Sequence, residues 1–579
     1  MADIPLPDQP TAPPPTVGRR LFLAGTTGAA ALLATQRIPG AWATPGAWPD
    51  DPFTLGVASG DPTPTGTVLW TRLAPRPLDP DGGMPARAVP VDWEVATGPR
   101  FRDVVRRGRI AATPALAHAV HVEVDGLDPG RHYWYRFRAG GHLSRIGRTR
   151  TCPDPRRPLV RLDLAFVSCQ NFEKGYYTAY RHLAEDDLDV VLHLGDYIYE
   201  NPPRRNLPRR HVGGEPADLP GYRVRHALYK TDRDLQAAHA RHPFVATWDD
   251  HEVENDYAGR HPVDGGDPAA FLRRRAAAYR AYWEHMPLRR PPHGPTMPLY
   301  RRLRFGDLVE LNLLDTRQYR DDQPCDEDAG GGRVVTCPER VDPRRTILGS
   351  HQRRWLLDGL DRSQTRWNVL AQQVVMAELD LHSGPGRAWW SDAWDGYAAD
   401  RDRILRFLWE RQPANPVVLT GDIHAFFVND LQLPGRGPDA RWWRPSWSGP
   451  RSAPGPARAA ASGSTCVTTP TSASSRAGCA ATPAARSSAT AGTPTCGSST
   501  RSSGRARRSA PWPATWSNPV DPARNRSRME SVDNNIRGCL GSTVTDRSRG
   551  SEPEFAGLRS KPRKTKAPSL TTRSLPKVS

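Results

Sequence analysis

An α/β fold preceded by an all-β module is what this sequence predicts, on three observations. Residues 52–152 alternate apolar and polar side chains between Gly, Pro and Asp, as half-buried strands do. From Pro158 the rhythm changes to short apolar runs alternating with helical patterns, the signature of a largely parallel sheet. Several of those runs end in groups able to bind a metal: Cys169; Asp196; Asp249, Asp250 and His251; Asp422 and His424.

The chain opens with an address. Pro-rich polar residues lead into "GRRLFLAG" (Gly18–Gly25), an apolar run, and "AWA" at Ala41–Ala43. This is an n-region, an h-region and a small-x-small cleavage site. The Arg19–Arg20 pair followed by Leu21, Phe22 and Leu23 resembles a twin-arginine signal over residues 1–43, read by a machinery that exports folded proteins. The apolar stretch falls short of the roughly 20 residues that a membrane span needs. The expectation is an exported protein, periplasmic, cell-wall-associated or secreted.

Within 52–152, "GTVLWTRL", "VPVDWEVATG" and "HAVHVEVDGL" read as strands, and "DGLDPGRHYWYRF" as a turn feeding an aromatic strand. A fibronectin-like β-sandwich domain of structural or substrate-framing role is expected there. In 158–435, "RLDLAFVSC", "DVVLHLGD", "PFVATWDD", "LVELNLLDTRQYR", "RWNVLAQQVV" and "NPVVLTGDIH" are strands. "KGYYTAYRHLAEDD", "ALYKTDRDLQAAHAR" and "AAFLRRRAAAYRAYWEHM" are helices between them. A single Asp at a strand end is usually a helix cap. Strand ends that repeatedly deliver carboxylate, imidazole and thiolate to one edge point to a metal centre instead.

Net charge is +18, which invites a nucleic-acid reading. Its location excludes one: residues 441–520 hold ten arginines and no lysine or acid, and 521–579 hold thirteen basic and six acidic residues. The rest of the chain is nearly neutral. Residues 441–520 also lack Ile, Leu, Met, Phe, Tyr, His and Gln, yet contain several Trp. A G+C-rich gene read out of frame gives this composition. Residues 441–579 are therefore expected to be a disordered basic tail arising from a frameshift after about Arg441. The alternative is a genuine basic tail that binds anionic cell-surface polymers.

"FVSCQNF", "HLGDYIYE", "WDDHEVEND", "LDTRQYRDDQPC", "WNVLAQQVVM", "DAWDGY" and "LTGDIHAFF" together resemble the PhoD-type alkaline phosphatases and related phospholipase D enzymes, within the calcineurin-like metallophosphoesterase superfamily. The resemblance runs in order from the signal to about Leu433. It implies a four-layer α/β/β/α catalytic domain, an iron(III) ion with calcium, and hydrolysis of phosphate esters at alkaline pH. The Asp-x-His pair that opens general metallophosphoesterases is missing; "SCQN" stands in its place.

The residue chemistry agrees with that implication. A Cys169 thiolate and a Tyr199 phenolate are strongly donating anions that suit trivalent iron. By resemblance, Asp196 bridges iron to calcium and His424 is a further iron ligand, while Asn255 or Asp256 and Asp422 give calcium oxygen ligands. Asp250 and His251 are assigned to catalysis; with Asp249 they either ligate directly or orient substrate from the outer shell. A guanidinium is the natural clamp on phosphate. Arg275 is expected there by resemblance, with Arg274 and then Arg317 as substrate-binding alternatives. Cys325 and Cys337 are expected to close a short disulfide loop, as export permits. The expected function is hydrolysis of phosphate mono- and diesters by a chain acting as a monomer, with no specific nucleic-acid partner. A phospholipase D acting on phospholipid head groups and an inactive, binding-only protein are the alternatives.

Overall fold

The computed structural model describes residues 48–325, 332–334, 337–382, 386–432 and 445–448. The predicted signal at 1–43 and nearly all of the predicted tail lie outside the described residues.

Two six-stranded sheets form the body. In the first, the strands run in the order 119–124, 67–72, 57–60, 243–247, 190–194, 164–167. In the second the order is 301–305, 309–313, 367–371, 416–420, 445–448, 427–430. Val190–Leu194 pairs in parallel with both neighbours, Leu192 opposite Phe166 on one side and Val245 on the other. Its run of Val190, Val191, Leu192 and Leu194, interrupted only by buried His193, is what burial of both faces demands.

Leu164, Phe166, Leu192, Leu194 and Val245 share one apolar cluster with Leu303, Leu311, Leu313, Val369 and Leu419, so the two sheets are packed face to face. Behind the first sheet, Ala165, Val191 and Phe244 meet Leu183, Tyr222, Leu235, Tyr279 and Tyr282 from helices. Behind the second, Leu370 and Val418 meet Leu356, Leu360, Ile404 and Leu408. Helix starts follow local chemistry. Asp267 caps Pro268–His285 by accepting from the N–H groups of Ala269 and Ala270, with Pro268 at the first helical position. The stretch expected as one helix around "ALYKTDRDLQAAHAR" is two, Leu219–Lys230 and Arg233–Arg241. Asp232 bonds the N–H groups of Asp234 and Leu235 and starts the second.

Two boundaries differ from the sequence reading. The N-terminal module was expected to stand apart, yet three of its strands continue the first catalytic sheet. Val57–Gly60 pairs in parallel with Pro243–Thr247, Ser59 opposite Pro243. Its remaining strands, 89–96, 104–112, 132–139, 142–143 and 147–150, form a separate sheet that packs on those three through Val57, Leu69, Val91, Tyr133, Tyr135 and Phe137. Alternating patterning reveals that strands exist but not which sheet accepts them. At the other end, the catalytic domain was closed at residue 435. The strand Pro445–Ser448 lies beyond that point and beyond Arg441, seated parallel to Pro416–Thr420 and antiparallel to Phe427–Asp430. Strand pairing uses backbone groups, so low-complexity composition did not preclude it. Among the described residues, no helix is long and apolar enough to cross a membrane.

Candidate metal centre

The chain delivers its metal-capable groups where parallel strands stop. Leu164–Val167 leads to Cys169, Val190–Leu194 to Asp196, Pro243–Thr247 to Asp249, Asp250 and His251, and Pro416–Thr420 to Asp422 and His424. Three of these strands belong to the first sheet and one to the second, so the site forms where the ends of both sheets meet. Gly195, at φ 106°, permits the approach: a Cβ there would stand 2.5 Å from Asp249 Cβ. Cys169, Asp196, Asp256, Asp422 and His424 all adopt left-handed backbone, with φ between 56° and 65°. Such conformations are costly for non-glycine residues and concentrate at functional sites.

Two sets of donors converge. Ligand atoms of Cys169, Asp196 and His424 lie within 4.8 Å of one another, and so do those of Asp196, Asp250 and His251. Asp196 is common to both. The Tyr199 hydroxyl donates to Asp196 Oδ2 at 2.9 Å and stands 2.9 Å from His424 Nε2, which adds a phenol to the first set. Asp256 and Asp422 are not in either set. Asp256 joins the cluster through its N–H, which donates to Asp250 Oδ2 at 2.7 Å, and the Asn255 amide donates to Asp256 Oδ2 at 2.7 Å.

The electrostatics call for cations. Burial pushes up Asp196, Asp249 (to about 6), Asp256 (to about 9) and Asp422, and neighbouring carboxylates raise the last two further. Burial also pushes Asp250 up, but Arg317 and His251 outweigh it and hold the group low. His251 goes the other way: burial opposes its charge, yet Glu200, Asp250 and Asp196 lift its pKa well above the usual value. Its Nδ1 lies 2.7 Å from Glu200 Oε2, and its ring packs against Tyr199 with centroids 4.1 Å apart. Asp196 Oδ1 and Asp249 Oδ2 are buried with no hydrogen-bond partner. A buried acid cluster with unused oxygens fits bound cations, since without them its carboxylates must take up protons.

The arginines differ from expectation. Arg275 makes its hydrogen bonds to backbone rather than to the cluster's acids: its Nε donates to the Pro295 carbonyl at 3.0 Å and its Nη1 to the Gly259 carbonyl. Arg274 pairs with Glu254 and Glu215, both at 2.7 Å. The direction a helical side chain takes is set by the partners the fold presents, here carbonyls and acids outside the centre. Arg317 is the arginine at the site, with Nε 2.5 Å from Asp249 Oδ1 and Nη2 3.5 Å from Asp250 Oδ1. Its Nη1 and Nη2 form a two-pronged pair with Asp392, which opens the quoted "DAWDGY" but was given no role from the sequence. Asp392 also accepts from Arg320 and Gln323. Two residues beyond Gln323, Cys325 is disulfide-bonded to Cys337.

Comparison with known proteins gives this geometry a context. A family model described as "PhoD-like phosphatase" matches residues 164–477, and a second, "PhoD-like phosphatase, N-terminal domain", matches residues 40–153. The chain is 48% identical over 430 residues to "Alkaline phosphatase D" of Bacillus subtilis (strain 168), covering 72% of this chain and 73% of that protein. A solved structure described as "Structure of PhoD" superimposes with a TM-score of 0.69 at 47% identity, over 71% of this chain and 79% of that one. With its strand-end donors assembled on that shared fold, the chain belongs to the PhoD-like phosphatase family.

Proposed function

We propose that this chain is an exported alkaline phosphatase that hydrolyses phosphate mono- and diesters at an iron(III)–calcium centre. The observation that carries the reading is the convergence of Cys169, Asp196, Tyr199 and His424, beside an acid cluster holding more carboxylate than its own cations offset. Thiol, phenol, carboxylate and imidazole are the donor types that suit trivalent iron. Asp196, Asn255, Asp256 and Asp422 would supply calcium with oxygen. Such ions, when bound, neutralise phosphoryl oxygens and acidify water.

The chain's own groups do the rest. Glu200 holds the His251 ring in place at Nδ1, and with Asp250 and Asp196 it favours the imidazolium, which is available to an oxygen that leaves with negative charge. Arg317 neutralises Asp249 and Asp250 and fixes where those carboxylates stand. The packing supports a four-layer helix–sheet–sheet–helix catalytic domain, behind a fibronectin-like sandwich that lends three strands to it. Purified protein should contain iron and calcium by elemental analysis. It should cleave p-nitrophenyl phosphate and the bis ester faster than it releases choline from phosphatidylcholine, assayed side by side. The reverse order would favour a phospholipase D, and metal-free protein that is fully active would refute the centre. Export through the twin-arginine pathway predicts that the Arg19→Lys, Arg20→Lys double variant accumulates in the cytoplasm.

A further inference from the structure

Two of the loops that carry the centre leave the last paired residues of adjacent strands, Leu194 opposite Thr247. Beyond that rung no backbone ladder holds residues 195–200 to residues 248–256. Two buried glutamates take over. Glu252, with no exposed surface, reaches from the second loop to the first: Oε1 accepts the Tyr197 N–H at 2.6 Å and Oε2 the Asp196 N–H at 3.2 Å. The same Oε2 accepts the Asp249 N–H of its own loop at 2.8 Å. Glu200, 2% exposed, reaches the opposite way: Oε2 meets His251 Nδ1 at 2.7 Å and Oε1 accepts the Asn255 N–H at 3.1 Å.

A neutral side chain could accept these backbone bonds without placing more negative charge beside Asp196, Asp249 and Asp250. Glu200 has His251 as a partner, but Glu252 meets only backbone N–H groups, so its carboxyl works against the stability of a metal-free fold. The placement of both glutamates makes sense if the spacing of the ligands, rather than stability alone, is what they secure. Asp196 lies in left-handed backbone, and its N–H and that of Tyr197 have Glu252 as acceptor.

We propose that Glu200 and Glu252 form a reciprocal brace, each rooted in one ligand loop and bonded to the other, that sets the distance between Asp196 and the Asp250–His251 side of the centre. They are positioning residues and touch no substrate. The inference rests on the metal-centre reading above.

The test uses the full chain reconstituted with iron and calcium, comparing wild type with Glu200→Gln, Glu252→Gln and the double variant. Elemental analysis and chelator competition give metal retention, the visible phenolate-to-iron band reports the iron environment, and kcat and KM are measured separately. Each single variant should bind metal about 10–100-fold more weakly, the range that outer-shell changes usually cost. The band should shift, and kcat should fall with KM little changed. The double variant should lose less than the product of the two single losses, because either cut opens the same gap. Singles that keep metal affinity and kcat within about twofold of a metal-loaded wild type overturn the brace and leave the centre standing. A wild type that takes up no metal overturns both. Should Glu252→Gln not fold, Glu200→Gln decides the matter alone.

Discussion

Arg317 and Asp392 meet in a parallel, two-pronged pair, both bonds 2.7 Å long, with 0% and 1% of their side chains exposed. The pair is the hinge between the acid cluster and the loop that follows it: Arg317 turns its Nε to Asp249, while Asp392 also holds Arg320 and Gln323. Removing Asp392 strips buried Arg320 of its carboxylate and leaves Arg317 with only Asp249 and the more distant Asp250. Asp392→Ala is therefore expected to cost about 3–5 kcal/mol of stability, measured by urea unfolding. A variant within about 1 kcal/mol of wild type would show that Arg320 does not depend on that carboxylate.

Cys169→Ala and Tyr199→Phe should each remove iron while the fold persists. Wild-type protein is expected to be violet, from charge transfer between phenolate and iron(III), and both variants to be pale. Phosphatase activity should fall by at least the roughly 10–100-fold that outer-shell changes cost. Colourless, iron-free wild type would contradict this prediction.

Lys230 offers a pH test away from the acid cluster. Burial lowers its pKa to about 7; its Nζ donates to the Tyr197 hydroxyl and lies 4.5 Å from the centre of the Trp70 ring. In the unfolded chain the amine keeps its ordinary value near 10.5. Between these two values the unfolded state binds more protons, so this group makes wild-type stability rise with pH, by up to about 1.4 kcal/mol per unit. Lys230→Met should be more stable than wild type below pH 7, and its advantage should fade as pH approaches 10. Thermal unfolding of both proteins across that range checks the sign, and a constant difference would refute it.

The strand Pro445–Ser448 gives a truncation test. It covers the edges of Pro416–Thr420, which delivers Asp422 and His424, and of Phe427–Asp430. A chain ending after Gln432 leaves both edges bare and should aggregate or lose metal, whereas one ending after Ser448 should keep both solubility and metal. Gene sequencing through the codon for Arg441 tests the frameshift expectation. An unbroken reading frame there would make the basic tail genuine and in need of a role of its own.

Where chemistry followed strand ends, the site was legible. Asp196, Asp250, His251 and His424 each come shortly after a short apolar run, and Cys169 is in a strand-terminal motif that also names its neighbours. Arg317 was among the candidates, but the preference for Arg275 and Arg274 misled, because a run such as Phe271–Ala277 shows a helix but not which acid or carbonyl each side chain will find. Asp392 lies in an irregular stretch with no periodicity to single it out. Glu252 was hidden among adjacent acids, and only the backbone N–H groups it accepts set it apart. The merger of N-terminal strands with the catalytic sheet was equally silent, since parallel pairing across a long intervening segment leaves no local mark.

That merger governs the order in which the molecule can be completed. Val57–Gly60 leaves the ribosome early, but its partner Pro243–Thr247 is made much later, after the strands that carry Cys169 and Asp196. The front of the chain must wait through that interval with one edge bare, a high-contact-order arrangement that slows folding and favours a chaperone-guarded delay. Nor is the front module a cassette: cut away at residue 158, the remainder would expose the flank of the strand that leads to Asp249, Asp250 and His251.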